Sequence, residues 1–91
     1  MEFKVLETLQ FDSLLLVLYD WMAFPNANAI TNLYAYDLAG ERRWLAQARR
    51  PGDFFTGFVG NGEFLRVATW DCFCCTIDPK TGSIIDAVFT K

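Results

Sequence analysis

The chain has no histidine, and its three cysteines, Cys72, Cys74 and Cys75, crowd into four consecutive positions. Lack of histidine removes the commonest general base and the commonest metal ligand, so nucleophilic triads and metal-assisted hydrolysis find no support. Three cysteines without a histidine or a second cysteine pair do not complete a tetrahedral metal shell. Their spacing is also too tight for a short strand to staple internally, so they read as free thiols, small buried hydrophobes in a reducing compartment. Long apolar runs are missing too. The longest, Leu14 to Tyr19, is far below the roughly 18 to 20 residues that cross a bilayer. The start, Met1-Glu2-Phe3-Lys4, lacks a basic region followed by an apolar stretch and a cleavage site. A cytoplasmic location is the expectation. No glycine-rich phosphate loop leads into a helix, and no cofactor is expected.

Positive charge is in short supply. Eight Lys and Arg face eleven Asp and Glu, for a formal net charge of −3 and a pI near 4.7. A field of that sign opposes nucleic acid and anionic lipid, so neither is expected as a partner. A basic protein surface fits better.

What the chain does have is apolar and aromatic mass. It is 53% hydrophobic and 16% aromatic, with nine Phe, three Tyr and three Trp in 91 residues. That length makes one small domain, able to bury only about 60 to 65% of its unfolded surface. So much apolar material on so small a domain points to a surface that meets a partner.

The chain also repeats itself. Leu14-Leu15-Leu16-Val17-Leu18-Tyr19-Asp20-Trp21, followed by Asn32 to Gly40, is echoed by Phe64-Leu65-Arg66-Val67-Ala68-Thr69-Trp70-Asp71, followed by Phe73 to Gly82. Each copy ends in a strand, an Asp-to-Gly turn and a further strand. A repeat of about 40 to 50 residues of this kind is one supersecondary unit that cannot bury its faces alone.

Aromatic and β-branched residues, broken by turn residues every eight to twelve positions, predict strands throughout and no helix. Eight are expected: Phe3–Gln10, Leu14–Asp20, Leu33–Leu38, Arg42–Gln47, Phe54–Val59, Phe64–Trp70, Phe73–Ile77 and Ser83–Thr90. Gly, Asn, Asp and Pro at each connection supply tight reversals, hence antiparallel neighbours. The strands divide four and four near Arg50-Pro51-Gly52, giving one domain, residues 1–91, of two repeats, about 1–50 and 51–91. Asp37 and Asp78 each open a tight reversal closed by a glycine and are assigned to hairpin turns rather than to chemistry. The unbroken run Leu14 to Leu18 implies cover on both faces of that strand. Blades from other copies of the chain, closure of all eight strands into a barrel, or a partner protein would provide it.

The stretch Asn32-Leu33-Tyr34-Ala35-Tyr36-Asp37-Leu38-Ala39-Gly40-Glu41-Arg42-Arg43-Trp44 resembles the repeat of quinoprotein-type (PQQ-like) β-propellers. There a Leu-Tyr-Ala-Leu-Asp segment, a Thr-Gly turn and a docking tryptophan span the last two strands of a blade. The second copy is similar in Ile77-Asp78-Pro79-Lys80-Thr81-Gly82, but Asp86 stands where the family places its tryptophan. The resemblance implies blade architecture over about two blades. It does not imply the cofactor pocket, which takes many blades to build.

Three constellations are candidates for function. Asp20-Trp21 and Trp70-Asp71 occupy corresponding places in the two copies. Paired acids beside indoles suit sugar hydrolysis, although a turn-capping Asp beside a core Trp accounts for the same residues. Residues Met22 to Thr31 form an insertion peculiar to the first copy, carrying Met22, Phe24 and Ile30 on a background of small and amide residues. Loops on rigid β scaffolds commonly bind, although a long hairpin with Phe24 folded back on the sheet accounts for the same residues. Arg42, Arg43, Arg49 and Arg50 precede Phe54 and Phe55; such a mix can hold phosphates, or the arginines can pair with nearby carboxylates on a solvated face.

The reading that results is an all-β domain of two four-stranded antiparallel meanders resembling propeller blades, with a single eight-stranded barrel or sandwich as the alternative. Its expected role is non-catalytic assembly, with itself as a homo-oligomer or with another protein. Trp21, Met22, Phe24, Ile30, Phe54 and Phe55 are the expected partner contacts. Two alternatives accompany it: a small carbohydrate-active hydrolase using Asp20 and Asp71, and an acidic inhibitor or immunity-type protein that masks a basic surface.

Overall fold

A computed structural model describes residues 4–20, 31–50, 52–60 and 63–90. They form eight strands: β1 (Val5–Phe11), β2 (Leu14–Tyr19), β3 (Leu33–Asp37), β4 (Arg42–Leu45), β5 (Phe55–Phe58), β6 (Leu65–Thr69), β7 (Phe73–Ile77) and β8 (Ile84–Phe89). Every sequence-predicted strand is present, with ends shifted by a few residues at most. Among the described residues there is no helix. The strands make two four-stranded antiparallel sheets in chain order, β1-β2-β3-β4 and β5-β6-β7-β8. The sheets do not join edge to edge, so the closed eight-stranded barrel is not the fold.

The turns explain the meander order. Asp37 Oδ1 accepts the backbone N–H groups of Ala39 and Glu41, both at 2.9 Å, and Asp78 Oδ1 accepts that of Lys80 at 2.9 Å. Each turn then closes on a glycine in the left-handed region, Gly40 at φ 91° and Gly82 at φ 81°, which a residue with a Cβ adopts only at a cost. Both aspartates therefore work as turn formers, the role the sequence assigns them.

The repeat survives as identical register. Leu15 pairs with Tyr36 as Leu65 pairs with Ile77, Leu16 with Ala35 as Arg66 with Thr76, and Val17 with Tyr34 as Val67 with Cys75. Ala35 lies across from Trp44 as Thr76 lies across from Asp86. A single core joins the sheets. Leu16, Leu18, Leu33, Ala35 and Ala46 from the first meet Phe55, Leu65, Val67, Cys75 and Ile77 from the second, all at 1% exposure or less. The smallest dimension of the molecule, 19 Å, is that of two sheets about 10 Å apart with side chains on their outer faces.

Polar clamps fix how the sheets meet. Asn32, wholly buried, donates from Nδ2 to the Tyr19 and Phe55 carbonyls at 2.9 and 2.8 Å and accepts the Phe55 N–H on Oδ1 at 3.1 Å. It thus mimics a strand partner for the first residue of β5. Glu7 Oε1 accepts the Phe58 N–H at 3.1 Å. Gln47 donates its N–H to the Gly82 carbonyl at 2.8 Å, while its Oε1 accepts the Ile84 N–H at 2.9 Å. A buried, hydrogen-bonded amide such as Asn32 specifies one arrangement of the layers, and Glu7 and Gln47 add exposed bonds between them.

Candidate functional site

The matching registers reveal which way the sheets stack. The first sheet presents Leu16, Leu18, Leu33 and Ala35 to the core. Their equivalents in the second sheet are Arg66, Ala68, Cys74 and Thr76, none of which belongs to the buried core. The second sheet instead buries Leu65, Val67, Cys75 and Ile77, which correspond to Leu15, Val17, Tyr34 and Tyr36 of the first. The front of one repeat therefore packs on the back of the next. The stack ends with one unused face of each kind: the back of the first sheet and the front of the second.

The back of the first sheet is built from aromatic residues at alternate positions. Tyr19 and Tyr34 meet edge to face with ring centroids 4.9 Å apart, and the Tyr19 and Tyr36 hydroxyls hydrogen-bond at 2.9 Å. Burial, first, and then the Tyr36 hydrogen bond push the Tyr19 phenol up to about 12. The Arg42 guanidinium lies 5.8 Å from the Tyr34 ring centre, within cation–π range. Val17, opposite Tyr34 on this face, is 7% exposed. Residues 14, 16 and 18 face the second sheet, and of the two outer-face positions of the run, where further cover is expected, Val17 is already buried. Leu15 remains open, at 39% exposure, and with Gln10, Tyr36, Asp37, Leu38 and Gly40 lines a pocket of about 330 Å³.

The corresponding place on the second sheet is filled. Trp44, leaving the first sheet, lays its indole over Gly82, so that a Cβ there would fall 2.5 Å from Trp44 Cε3. Its Nε1 donates to the Pro79 carbonyl at 2.9 Å. The indole thus reads the backbone of the Asp78–Gly82 turn.

The arginines split into two groups. Arg49 and Arg50 both donate to Asp71 Oδ2, at 2.8 and 2.9 Å, and Arg49 also pairs with Asp53. The Arg49 guanidinium lies 4.0 Å from the centre of the Phe73 ring. Asp53 is 1% exposed; burial alone would raise its pKa, but the Arg49 hydrogen bond, the Asp71 and Phe54 N–H groups and the Thr69 hydroxyl outweigh burial and lower it. Arg43 faces Asp37 at 3.9 Å on the surface. These pairings engage Arg43, Arg49 and Arg50 with carboxylates, and they commit Asp71 to two guanidinium groups. The Asp20 backbone N–H donates to the Lys4 carbonyl at 2.7 Å.

Of the expected partner contacts, Trp21, Met22, Phe24 and Ile30 lie outside the described residues. Phe55 is 1% exposed and part of the core, because its strand parity turns it inward; its ring has no surface to offer. Phe54 is half-buried, stacked on Trp70 with ring centroids 5.5 Å apart and an interplanar angle of 14°. Cys72 is exposed, Cys74 half-buried and Cys75 buried, all as free thiols. Burial pushes the Cys75 thiol up to about 11, so it packs as a small hydrophobe. No group of three or more acidic or cysteine side chains suited to a metal ion occurs among the described residues. The tyrosine face escaped sequence reasoning, although its signal, Tyr34-x-Tyr36 opposite Tyr19, has the period of two that marks one face of a strand.

The protein so defined is an all-β domain of two stacked four-stranded sheets with an aromatic outer face. The family described as Domain of unknown function (DUF7957) matches residues 1–89, and the chain belongs to that family. No curated protein and no solved structure matches it. Among the described residues no helix is long and apolar enough to cross a membrane.

Proposed function

We propose that this protein is a non-catalytic interaction module, built like two successive propeller blades, that uses the back of its first sheet to bind another protein. One observation carries the reading: the face equivalent to Leu15, Val17, Tyr34 and Tyr36 in the second repeat is the one that receives a neighbouring sheet, while in the first repeat it bears tyrosines and an open pocket. Tyrosine supplies contact area at low entropic cost and keeps a polar tip for water or a partner, the composition of an interface core. The opposite end of the stack argues for a foreign partner over a ring of identical chains. There Arg66 and Asp86 stand in place of the core Leu16 and the docking Trp44, and stacking that face on a second copy would desolvate both charges. Three free thiols agree with a cytoplasmic setting.

Site-specific photo-crosslinkers at Leu15, Leu45 and Val88, used in the native cell, test this reading together with the solution mass by light scattering. The expected result is a monomer in isolation and crosslinks to one protein from Leu15 and Leu45 but not from Val88. A closed trimer or tetramer, or crosslinks from Val88 alone, would overturn it.

A further inference from the structure

The turn of the first repeat, Asp37-Leu38-Ala39-Gly40, is the counterpart, one residue shorter, of the Asp78–Gly82 turn that the second repeat uses to hold Trp44. In the second repeat the working parts are a glycine with no side chain under the indole, Gly82, and the carbonyl of the residue after the turn aspartate, Pro79, which accepts the indole N–H at 2.9 Å. The first repeat has counterparts of both in its shorter turn. Gly40 has φ 91° against 81° for Gly82, and its N–H donates to the Asp37 carbonyl at 3.0 Å as that of Gly82 donates to Asp78 at 2.8 Å. Leu38 stands in the place of Pro79. A Cβ on Gly40 would meet nothing within 4 Å, so the space the indole fills in the second repeat is open here. The walls match as well, since Leu15 and Tyr36 take the positions of Leu65 and Ile77. All four residues line the 330 Å³ pocket.

We propose that this pocket is a tryptophan socket, and that its occupant is a tryptophan on another polypeptide, its indole lying over Gly40 and donating its N–H to the Leu38 carbonyl. The proposal rests on the interaction reading above and adds the chemistry of the partner. The chain's own second repeat is a poor source of the ligand, because the position equivalent to Trp44 is Asp86, a carboxylate that would be desolvated there and lacks the indole's surface. Trp44 is already engaged with Pro79. A foreign chain with a tryptophan at the end of a strand supplies what the socket lacks.

The probe is a synthetic peptide copying residues 41–48, which carries this chain's own docking tryptophan, beside the same peptide with alanine in its place. Amide NMR of the labelled full-length protein reads the contact. The expected result is saturable shifts at Leu15, Tyr36, Leu38 and Gly40 with the tryptophan peptide and none with the alanine peptide. Leu15 is open enough to be replaced without loss of the fold, and Leu15→Glu, with its circular dichroism unchanged, should weaken binding by about tenfold, roughly 1.4 kcal/mol. Equal shifts with both peptides, shifts centred on Gly82, or no shifts at millimolar peptide would overturn the socket. If the Leu15 photo-crosslinks persist while the peptide is ignored, the binding face stands and only the tryptophan assignment falls. Concentration-dependent shifts at the same residues without peptide would name a second copy as the occupant and overturn the foreign partner.

Discussion

Trp44 and Gly82 are in such close register that each requires the other: the indole packs where a side chain on residue 82 would be, and the turn that Gly82 completes offers the Pro79 carbonyl to the indole N–H. The contact couples the two sheets at the end of the core away from the Asn32 clamp. Because the first repeat also closes its Asp turn, one residue shorter, on a left-handed glycine with no indole over it, the two glycines can be compared directly.

Gly82→Ala and Gly40→Ala should therefore differ. Each forces a Cβ into a left-handed backbone, at about 1 to 2 kcal/mol. Gly82→Ala adds overpacking against Trp44, a further 1 to 3 kcal/mol or so. Urea unfolding of both variants checks this; equal losses would show that the indole yields freely.

Asn32 holds both backbone groups of Phe55 from inside the core. Asn32→Ala would strand a buried N–H and two carbonyl bonds, at about 2 to 4 kcal/mol. The same measurement should show unchanged cooperativity, since the apolar core remains. A loss under about 0.5 kcal/mol would mean that water replaces the amide.

The Asp53 carboxylate titrates below its ordinary value of 3.8 because its bonds to Arg49, Asp71, Thr69 and Phe54 outweigh the penalty of burial. At pH values near and below 3.8 the unfolded chain therefore binds more protons than the folded one. Stability from this group is present above that value and is lost as pH falls from it through the lower pKa of the folded state. Asp53→Asn should cost about 3 kcal/mol at pH 7 and flatten the dependence of the urea midpoint between pH 5 and 3. An unchanged slope would assign the acid limb to other carboxylates.

Tyr19 behaves oppositely. Its pKa is pushed from 10.0 to about 12 by burial and by the Tyr36 hydroxyl, so the folded state holds the proton that the unfolded chain releases. Its contribution is whole below pH 10 and disappears between pH 10 and 12. An absorbance titration of phenolate should show a late step near pH 12 that vanishes in Tyr19→Phe. If that step survives the substitution, the tyrosine cluster does not hold in solution.

The three thiols should react in order of access. Cys72 is exposed and Cys75 is buried with its pKa at about 11, so a thiolate-directed reagent at pH 8 should label Cys72 within minutes and Cys75 only on unfolding. Mass spectrometry of the partly labelled chain tells them apart. Early labelling of Cys75 would indicate that β7 opens readily.

Much of the fold was legible in the residues. All eight strands followed from β-branched and aromatic runs cut by turn residues, and Asp37, Gly40, Asp78 and Gly82 marked their hairpins because only particular backbones make such turns. The arginines were legible as surface partners of carboxylates, though not which ones, since Arg49 meets Asp71 across 22 positions of chain. Phe55 was misread as surface because a shift of one residue in strand parity exchanges the two faces.

The sequence by itself determined the local structure and the repeat, because hydrogen-bonded turns and pairing registers depend on neighbours in the chain. It did not determine which face of each sheet is inside. In Leu14 to Leu18 both faces are apolar, and a period of two cannot choose between equals. The tertiary structure chose by packing: the first repeat turns Leu16 and Leu18 inward, the second turns Leu65 and Val67, and Asn32 and Trp44 lock that stacking with bonds to distant backbone. The tyrosine face and the socket at Gly40 exist only as a result of that choice, since they are what the stack leaves uncovered.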